Sequence, residues 1–596
     1  MSIRTGPPKP ARAERGADVS RGAAAGRVLA QLRAYRARAA TAALVALAAA
    51  GLFLAYLRLS RTMPTTADGS SNAVQAWDML HGNVLLHGWT VSDVSFYTTE
   101  LPQYALVELV VGYHADVVHV AAAMTYTLLV ALAALLAKGR ATGVSGAVRM
   151  AVAVALMLAP EPGAGAETVL SSPDHTGTGV PLLFTWLVLD RALTGRDGRA
   201  HDRARRWLPF AMAALLAWGQ IADPLVTYIG ALPLVLVSAW RLVRSSQRGA
   251  QRWYGLDARL LAAGALSPLL AHGFLAAVRH AGGFYAHPAA LLLTPLSQLA
   301  DRVSITGDLI AVIFGGYLPQ MQGPLAVGWG LLHLVGVPVV LGAFAVVVFR
   351  ALRRPLPQDD KSENVGRPAG RTGGRDGNPM TGGRDRVAEI LAVAIAVNLG
   401  AYVVSMLPSD LLGAREIIGV LPMGAALAGR IVGPRLGSVR LRAALVAVLV
   451  VFSGALVTSA AVPSVPAASQ DAAQWLESQH LTYGIGSYWG ANSVTLTTGG
   501  RVQVAPLIGS GPILAYRWES RADWYDPARH DARFLILDLQ DATYGSMEPA
   551  IAQFGPPAAE PRYFGRFAVL LYDHNLLVGL SALCGPDVAP SMAQCR

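Results

Sequence analysis

One carboxylate beside a long apolar run is the first feature of this chain that points to chemistry. Asp68 comes a few residues after the hydrophobic stretch 41–59 and opens the polar run DGSSNAVQAWDMLHGN. Next to a low-dielectric boundary such a group can act as a general base, or can bind a divalent metal that does the activation. Its structural alternative is an N-cap, because the AVQAWDML that follows reads as helix. A second polar interruption lies in LLGAREIIGVLPMGAALAGR, 411–430, where Arg415 and Glu416 enter a hydrophobic helix from its outer end. Ionisable residues at that depth are costly and mark function by default; the alternative is an interfacial anchor or snorkelling pair.

The elements that must position these residues are membrane spans. The 596 residues are 53% hydrophobic and only 15% charged, outside the usual range for soluble domains. Apolar stretches near 41–59, 117–137, 260–278, 329–349, 387–406 and 443–462 are each long enough to cross a hydrocarbon core of ~30 Å. Shorter ones near 146–160, 177–193, 207–222, 224–240 and 411–429 bring the expected total to about eleven, while 305–320 reads as re-entrant or interfacial. The net charge of +11 is not a nucleic-acid signal. Arginines crowd 4–38, 138–149, 191–206, 241–259, 350–386 and 430–442, whereas 60–116 carries Arg61 alone against six carboxylates and 160–176 carries no lysine or arginine. That alternation is the positive-inside pattern, and it predicts a cytoplasmic N-terminus and an extracytoplasmic C-terminus.

The expected fold class is therefore mainly α: a polytopic helical bundle in the cell membrane with a small C-terminal extracytoplasmic α/β domain. Residues 1–40 read as a disordered basic cytoplasmic leader and 41–463 as the membrane domain, with its first exoplasmic loop at 60–116 and a flexible cytoplasmic linker at 355–386. The C-terminal domain spans 464–596. There 471–479 reads as a helix, and 493–498, 501–507, 533–539 and 566–572 read as strands, with Gly499-Gly500 as a hairpin turn. Cys584 and Cys595 are the only cysteines, and an oxidising exterior makes a disulfide or two separate thiols the alternatives.

A basic leader, a first span, an acidic exoplasmic loop opening at Asp68 and running into DGSSNAVQAWDMLHGN, many further spans and a soluble exoplasmic C-terminal domain resemble the GT-C superfamily of membrane glycosyltransferases. That superfamily includes the protein mannosyltransferases and the aminoarabinose transferase. The resemblance implies that Asp68 is the catalytic base and that the sugar donor is a polyprenyl phosphate lipid. The segment around Arg415 is similar to the GT-C helix that supplies a cation for the lipid phosphate, a task suited to a guanidinium because it stays charged and forks around phosphate oxygens. Many GT-C enzymes carry a second acid beside the first, whereas Gly69 and Ser70 follow Asp68 here, so no metal site is assigned. Asp174, His175 and Glu416 are candidates for substrate contact, and Glu100 for acceptor binding. Asp223 reads as a turn residue, and the spacing of His280 and His287 does not match a rigid metal site.

The aromatic stretches 483–494 and 516–525 can stack on sugar rings or fill a small α/β core. No Gly-rich nucleotide cradle is present, in keeping with a lipid-linked donor. The acceptor is a saccharide, a lipid or a protein. Two other classes share this layout: a secondary transporter, which would place ionisable groups near mid-membrane, and a non-catalytic envelope-biogenesis protein, which would have no need of Asp68.

Overall fold

A computed structural model describes residues 14–193, 199–246, 255–287, 292–353, 385–407 and 410–582. The linker expected at 355–386 lies outside them as far as residue 384, as do both cysteines. The chain divides into two units, Met1–Leu54 and Ala55–Arg596. The described part of the first unit belongs to one helix, Glu14–Ser60, in keeping with the helix propensity of alanine and arginine.

Among the described residues, seven helices are long and apolar enough to cross a membrane: Ala39–Ser60, Asp116–Lys138, Leu256–His280, Pro324–Arg353, Arg386–Val404, Gly413–Arg435 and Val439–Ala460. The chain is a multi-pass membrane protein. The other expected crossings fall on helices that are shorter or more polar, namely Gly143–Met157, Gly179–Leu193, Arg199–Ala222 and Leu232–Ser246. The segment 305–320, read as re-entrant or interfacial, holds the end of helix Leu299–Ile313 and the 3₁₀ turn Leu318–Gln320. Helix Val420–Ile431 is buried along its whole length, and glycines permit this. A Cβ at Gly424 would meet Val340 at 2.9 Å, and one at Gly429 would meet the Arg149 carbonyl at 2.5 Å. Without a hydrophobic force between helices in lipid, such close backbone approach supplies the packing.

One end of this bundle is fastened by Arg430. Its guanidinium reaches Asp190 at 2.7 Å, Asp385 at 2.8 Å and the Leu136 carbonyl at 2.6 Å, drawing together three helices and the residue that caps a fourth. Every branch of the fork is used, and the side chain is 6% exposed.

Among the described residues, eight short strands lie beyond the last span and two more come from earlier loops. These are β1 (Trp89–Val91), β2 (Tyr285–Ala286), β3 (Tyr483–Ser487), β4 (Gln503–Ile508), β5 (Leu514–Ala515), β6 (Ser520–Arg521), β7 (Phe534–Asp538), β8 (Arg562–Phe564), β9 (Phe567–Leu571) and β10 (Ser581–Ala582). Seven make one sheet in the order β10-β5-β4-β3-β7-β9-β8, with β3 parallel to both β4 and β7. The other three, β2-β1-β6, stitch the loop 60–116 to the C-terminal region. Trp89 pairs with Arg521 in that small sheet and packs edge-on against Trp524 at 5.2 Å. Val91, Phe96 and Leu101 from the loop share one apolar core with Ile485, Leu507 and Leu535 from the domain.

The strand expected at 493–498 is a correction. Residues Tyr488–Thr497 form a helix, and Gly499 and Gly500, both at positive φ, end it and lead into β4 instead of turning a hairpin. The alternation of Ser493, Thr495 and Thr497 with Val494 and Leu496 looks like a strand. It is in fact a helix with one face in the apolar core, through Ala491 and Val494, and another face against helix Ala67–Leu80, where Ser493 approaches Ser70. Parallel β3 and β4 require a crossover, and this helix supplies it.

Replacing Arg430 with alanine leaves the buried carboxylate of Asp190 unpaired, and that of the partly exposed Asp385 without its cation, and is expected to cost about 3–5 kcal/mol. The check is the thermal unfolding midpoint of the purified protein in detergent; an unchanged midpoint contradicts this account of the fastening.

Candidate active site

The loop after the first span begins with helix Ala67–Leu80, and Thr66, not Asp68, caps it: the Thr66 hydroxyl accepts from the Gly69 amide at 3.1 Å. Asp68 is thereby released from capping and sits in the first turn, where the helix dipole favours its charge. Gly69 presses the helix against span Asp116–Lys138, since a Cβ there would meet Val118 at 2.7 Å. This docking aims the Asp68 carboxylate at residues far away in sequence.

Arg415 lies in a 3₁₀ turn, Leu411–Ile417, which precedes the buried helix. Its Nη1 donates to Asp68 Oδ2 at 3.2 Å, and Nη2 approaches Ser171 at 3.5 Å. The other Asp68 oxygen, Oδ1, accepts from the Tyr488 hydroxyl at 2.6 Å. Tyr488 belongs to the C-terminal domain and also lies 2.7 Å from Glu519 Oε2. Asp68 is 30% exposed and Arg415 17%, so the pair is held but open on one side. The Arg430 guanidinium, at 6%, is more enclosed than that of Arg415.

A second polar layer adjoins the first. Asn72, one helical turn after Asp68, donates to Asp174 Oδ1 at 2.6 Å. His175 stands between Asp223 and Glu416, each 3.5 Å away, long for hydrogen bonds but close for charges. Burial alone would lower the His175 pKa; the nearby charges of Glu416, Asp223 and Asp174 outweigh it and raise it to about 10. Asp223 is fixed by Thr178 and by the Leu225 amide at 2.8 Å. Glu100 is buried, bonded to Thr99, and pressed so near Gly177 that any side chain there would collide with it. Burial, then the charges of Asp223 and Asp174, push Glu100 up to about 8 against the hydrogen bond from Thr99. Glu100 Oε1 and Asn72 Oδ1 are buried without a protein hydrogen-bond partner, which leaves acceptors in the layer for polar groups of another molecule.

The structure thus gathers Asp68, Arg415, Glu416, Asp174, His175 and Glu100 into one polar region. It adds Asp223, read from sequence as a turn residue, and three residues that sequence reasoning did not single out individually as candidates: Asn72, Tyr488 and Glu519. The i,i+4 spacing of Asp68 and Asn72 was a usable signal. Nothing in the local sequence of Glu519 announced a buried acid. Half-buried Tyr516, Trp518 and Tyr544 neighbour Tyr488, with ring centroids of Tyr516 and Tyr544 at 5.7 and 5.6 Å from it. His280 and His287 are not part of the cluster; His287 stacks on Trp518 at 5.0 Å. Among the described residues no group of three or more His, Cys, Asp or Glu is arranged to hold a metal ion.

No protein-family profile matches the chain, and no curated protein matches it. Two crystal structures are similar to it. ArnT from Cupriavidus metallidurans bound to undecaprenyl phosphate is 14% identical, over 92% of this chain and 100% of that one, with a TM-score of 0.48. ArnT from the same organism in the apo state is 14% identical, over 91% and 99%, with a TM-score of 0.41.

The raised Glu100 carries a stability consequence. Between an unfolded value of roughly 4.3 and about 8, the folded chain holds a proton there that the unfolded chain lacks. The associated stability is present at low pH and lost as pH rises through about 8. The thermal midpoint in detergent is expected to fall from pH 6 to pH 9, and Glu100→Gln to make that fall shallower; identical slopes for the two proteins contradict the assignment.

Proposed function

We propose that the chain is a GT-C-type membrane glycosyltransferase that moves a sugar from a polyprenyl-phosphate donor to an acceptor hydroxyl on the extracytoplasmic face. The observation that carries this reading is the Asp68–Arg415 pair, 3.2 Å apart and 347 residues apart in the chain. A base that must take a proton and a cation that must hold a departing phosphate need to face one reacting carbon. Asp68 Oδ2 takes the proton of the acceptor hydroxyl as its oxygen attacks the anomeric carbon. The bond from that carbon to the phosphate oxygen breaks, and its electron pair leaves on the lipid phosphate beside Arg415. In the free protein Arg415 rests on Asp68; a donor phosphate competes for the guanidinium and frees Oδ2 to act as base. His175, held between two acids, and Asp174 line the same region as substrate contacts, and Glu100 serves acceptor binding.

The proposed topology has eleven crossings, with the N-terminus cytoplasmic and the C-terminal domain outside. Helices Gly143–Met157, Gly179–Leu193, Arg199–Ala222 and Leu232–Ser246 complete the set. Arg191 at the end of one contacts Gly139 at the basic end of another span, while Thr178 at its start contacts Asp223. The first exoplasmic loop and the C-terminal domain share one core, which an even number of crossings between them permits.

The test is a purified-protein assay with a panel of polyprenyl-phosphate sugars and hydroxyl-bearing acceptors, reading release of polyprenyl phosphate. Asp68→Asn is expected to lower turnover by roughly 10²–10⁴ with donor binding retained. Arg415→Ala is expected to weaken donor binding. Wild-type turnover in Asp68→Asn sinks the proposal.

A further inference from the structure

Tyr488 poses a problem in counting hydrogens. Its phenol has one hydrogen to give, yet its oxygen lies 2.6 Å from Asp68 Oδ1 and 2.7 Å from Glu519 Oε2. Both separations are those of real O–H···O bonds, shortest where one partner is charged. Two such bonds need two hydrogens, so one of the carboxyls must carry its own. Arg415 on the far oxygen of Asp68 keeps the negative charge there, which leaves Glu519 as the acid.

We propose that Glu519 of the C-terminal domain is a positioning residue for the catalytic base: as a neutral acid it donates to the Tyr488 oxygen, which turns the phenol hydrogen onto Asp68 Oδ1 and leaves Oδ2 as the reacting oxygen. The proposal rests on the reading of Asp68 as the base. The Glu519 proton does not move in the reaction: the acceptor proton ends on Asp68 Oδ2, and from that open side passes to solvent.

Two other observations agree. Glu519 has a left-handed backbone, φ 50°, a conformation that side chains other than glycine seldom adopt and that collects at functional sites. It is also 2% exposed, and the groups facing it are acids or neutral donors. These are Asp68 and Ser71 from helix Ala67–Leu80, Asp174 from the loop beside it, and Tyr488 and Asn492 from helix Tyr488–Thr497, with Tyr516 nearby on its own segment. Neighbouring Arg517 turns away to the Gly88 carbonyl and Thr90. Burial, then the charge of Asp68, hold Glu519 well above the usual carboxylate range.

A glutamine at 519 can still donate to the phenol oxygen; an alanine cannot. In the donor–acceptor assay Glu519→Gln is expected to keep turnover within about threefold near neutral pH, while Glu519→Ala and Tyr488→Phe lose about tenfold or more in kcat with donor KM little changed. Alkaline loss of activity, as Glu519 ionises and the phenol hydrogen is drawn away from Asp68, should move to higher pH in Glu519→Gln. Infrared difference spectra of wild type against Glu519→Gln, taken at neutral pH on protein with an unchanged melting midpoint, should show the carbonyl band of a protonated carboxyl. Ionised-carboxylate bands in that difference, or a Glu519→Gln variant as slow as Glu519→Ala, overturn the proposal while Asp68→Asn stays inactive. An active Asp68→Asn points instead to failure of the base reading, and the infrared result stands apart from either.

Discussion

One carboxylate ties the helical bundle to the C-terminal sheet region. Asp68 is reached by a guanidinium from the bundle and by a phenol from the C-terminal region, so neither partner alone fixes it. A charge in partly dry surroundings must be paired or solvated. Here pairing is arranged by docking the loop 60–116 onto the C-terminal region, through the Trp89–Trp524 contact, the Arg521–Asp78 bridge at 3.2 Å and the small sheet that joins them. Helix Ala67–Leu80 is the piece that transmits this docking to Asp68.

The opposite end of the bundle shows what the same chemistry does when it serves stability. Arg430 is enclosed, and each branch of its fork has a partner, two carboxylates and a carbonyl. Arg415 bonds to Asp68 and, at 3.5 Å, to Ser171, and it is 17% exposed against 6% for Arg430; burial separates the two arginines.

The acidic layer behind Asp68 follows from the same electrostatics. Asp174, Asp223, Glu416 and Glu100 cannot all be charged side by side in dry surroundings. His175 takes up charge between two of them, and burial together with its acidic neighbours favours a proton on Glu100. Glu519 belongs to the same pattern on the side of the C-terminal region. The region thus sets acids of different environments beside Asp68, whose two oxygens accept from Arg415 and Tyr488.

Sequence by itself determined the membrane nature of the chain, the alternation of basic and acidic loops, and the candidates Asp68 and Arg415. Each of these rests on local cost: a long apolar run has no other stable home, and a charge beside it is too expensive to be incidental. Strands at 501–507, 533–539 and 566–572 were legible for the same reason, and all three coincide closely with β4, β7 and β9. Tertiary structure alone decided that Thr66 takes the cap, that residues 488–497 cross over as a helix, and that Tyr488 and Glu519 stand beside Asp68. Those outcomes depend on which distant surfaces meet: the Ser and Thr pattern of 493–497 suits a strand or a helix equally well until helix Ala67–Leu80 is packed against it, and the ionisation of Glu519 is set by neighbours more than three hundred residues away.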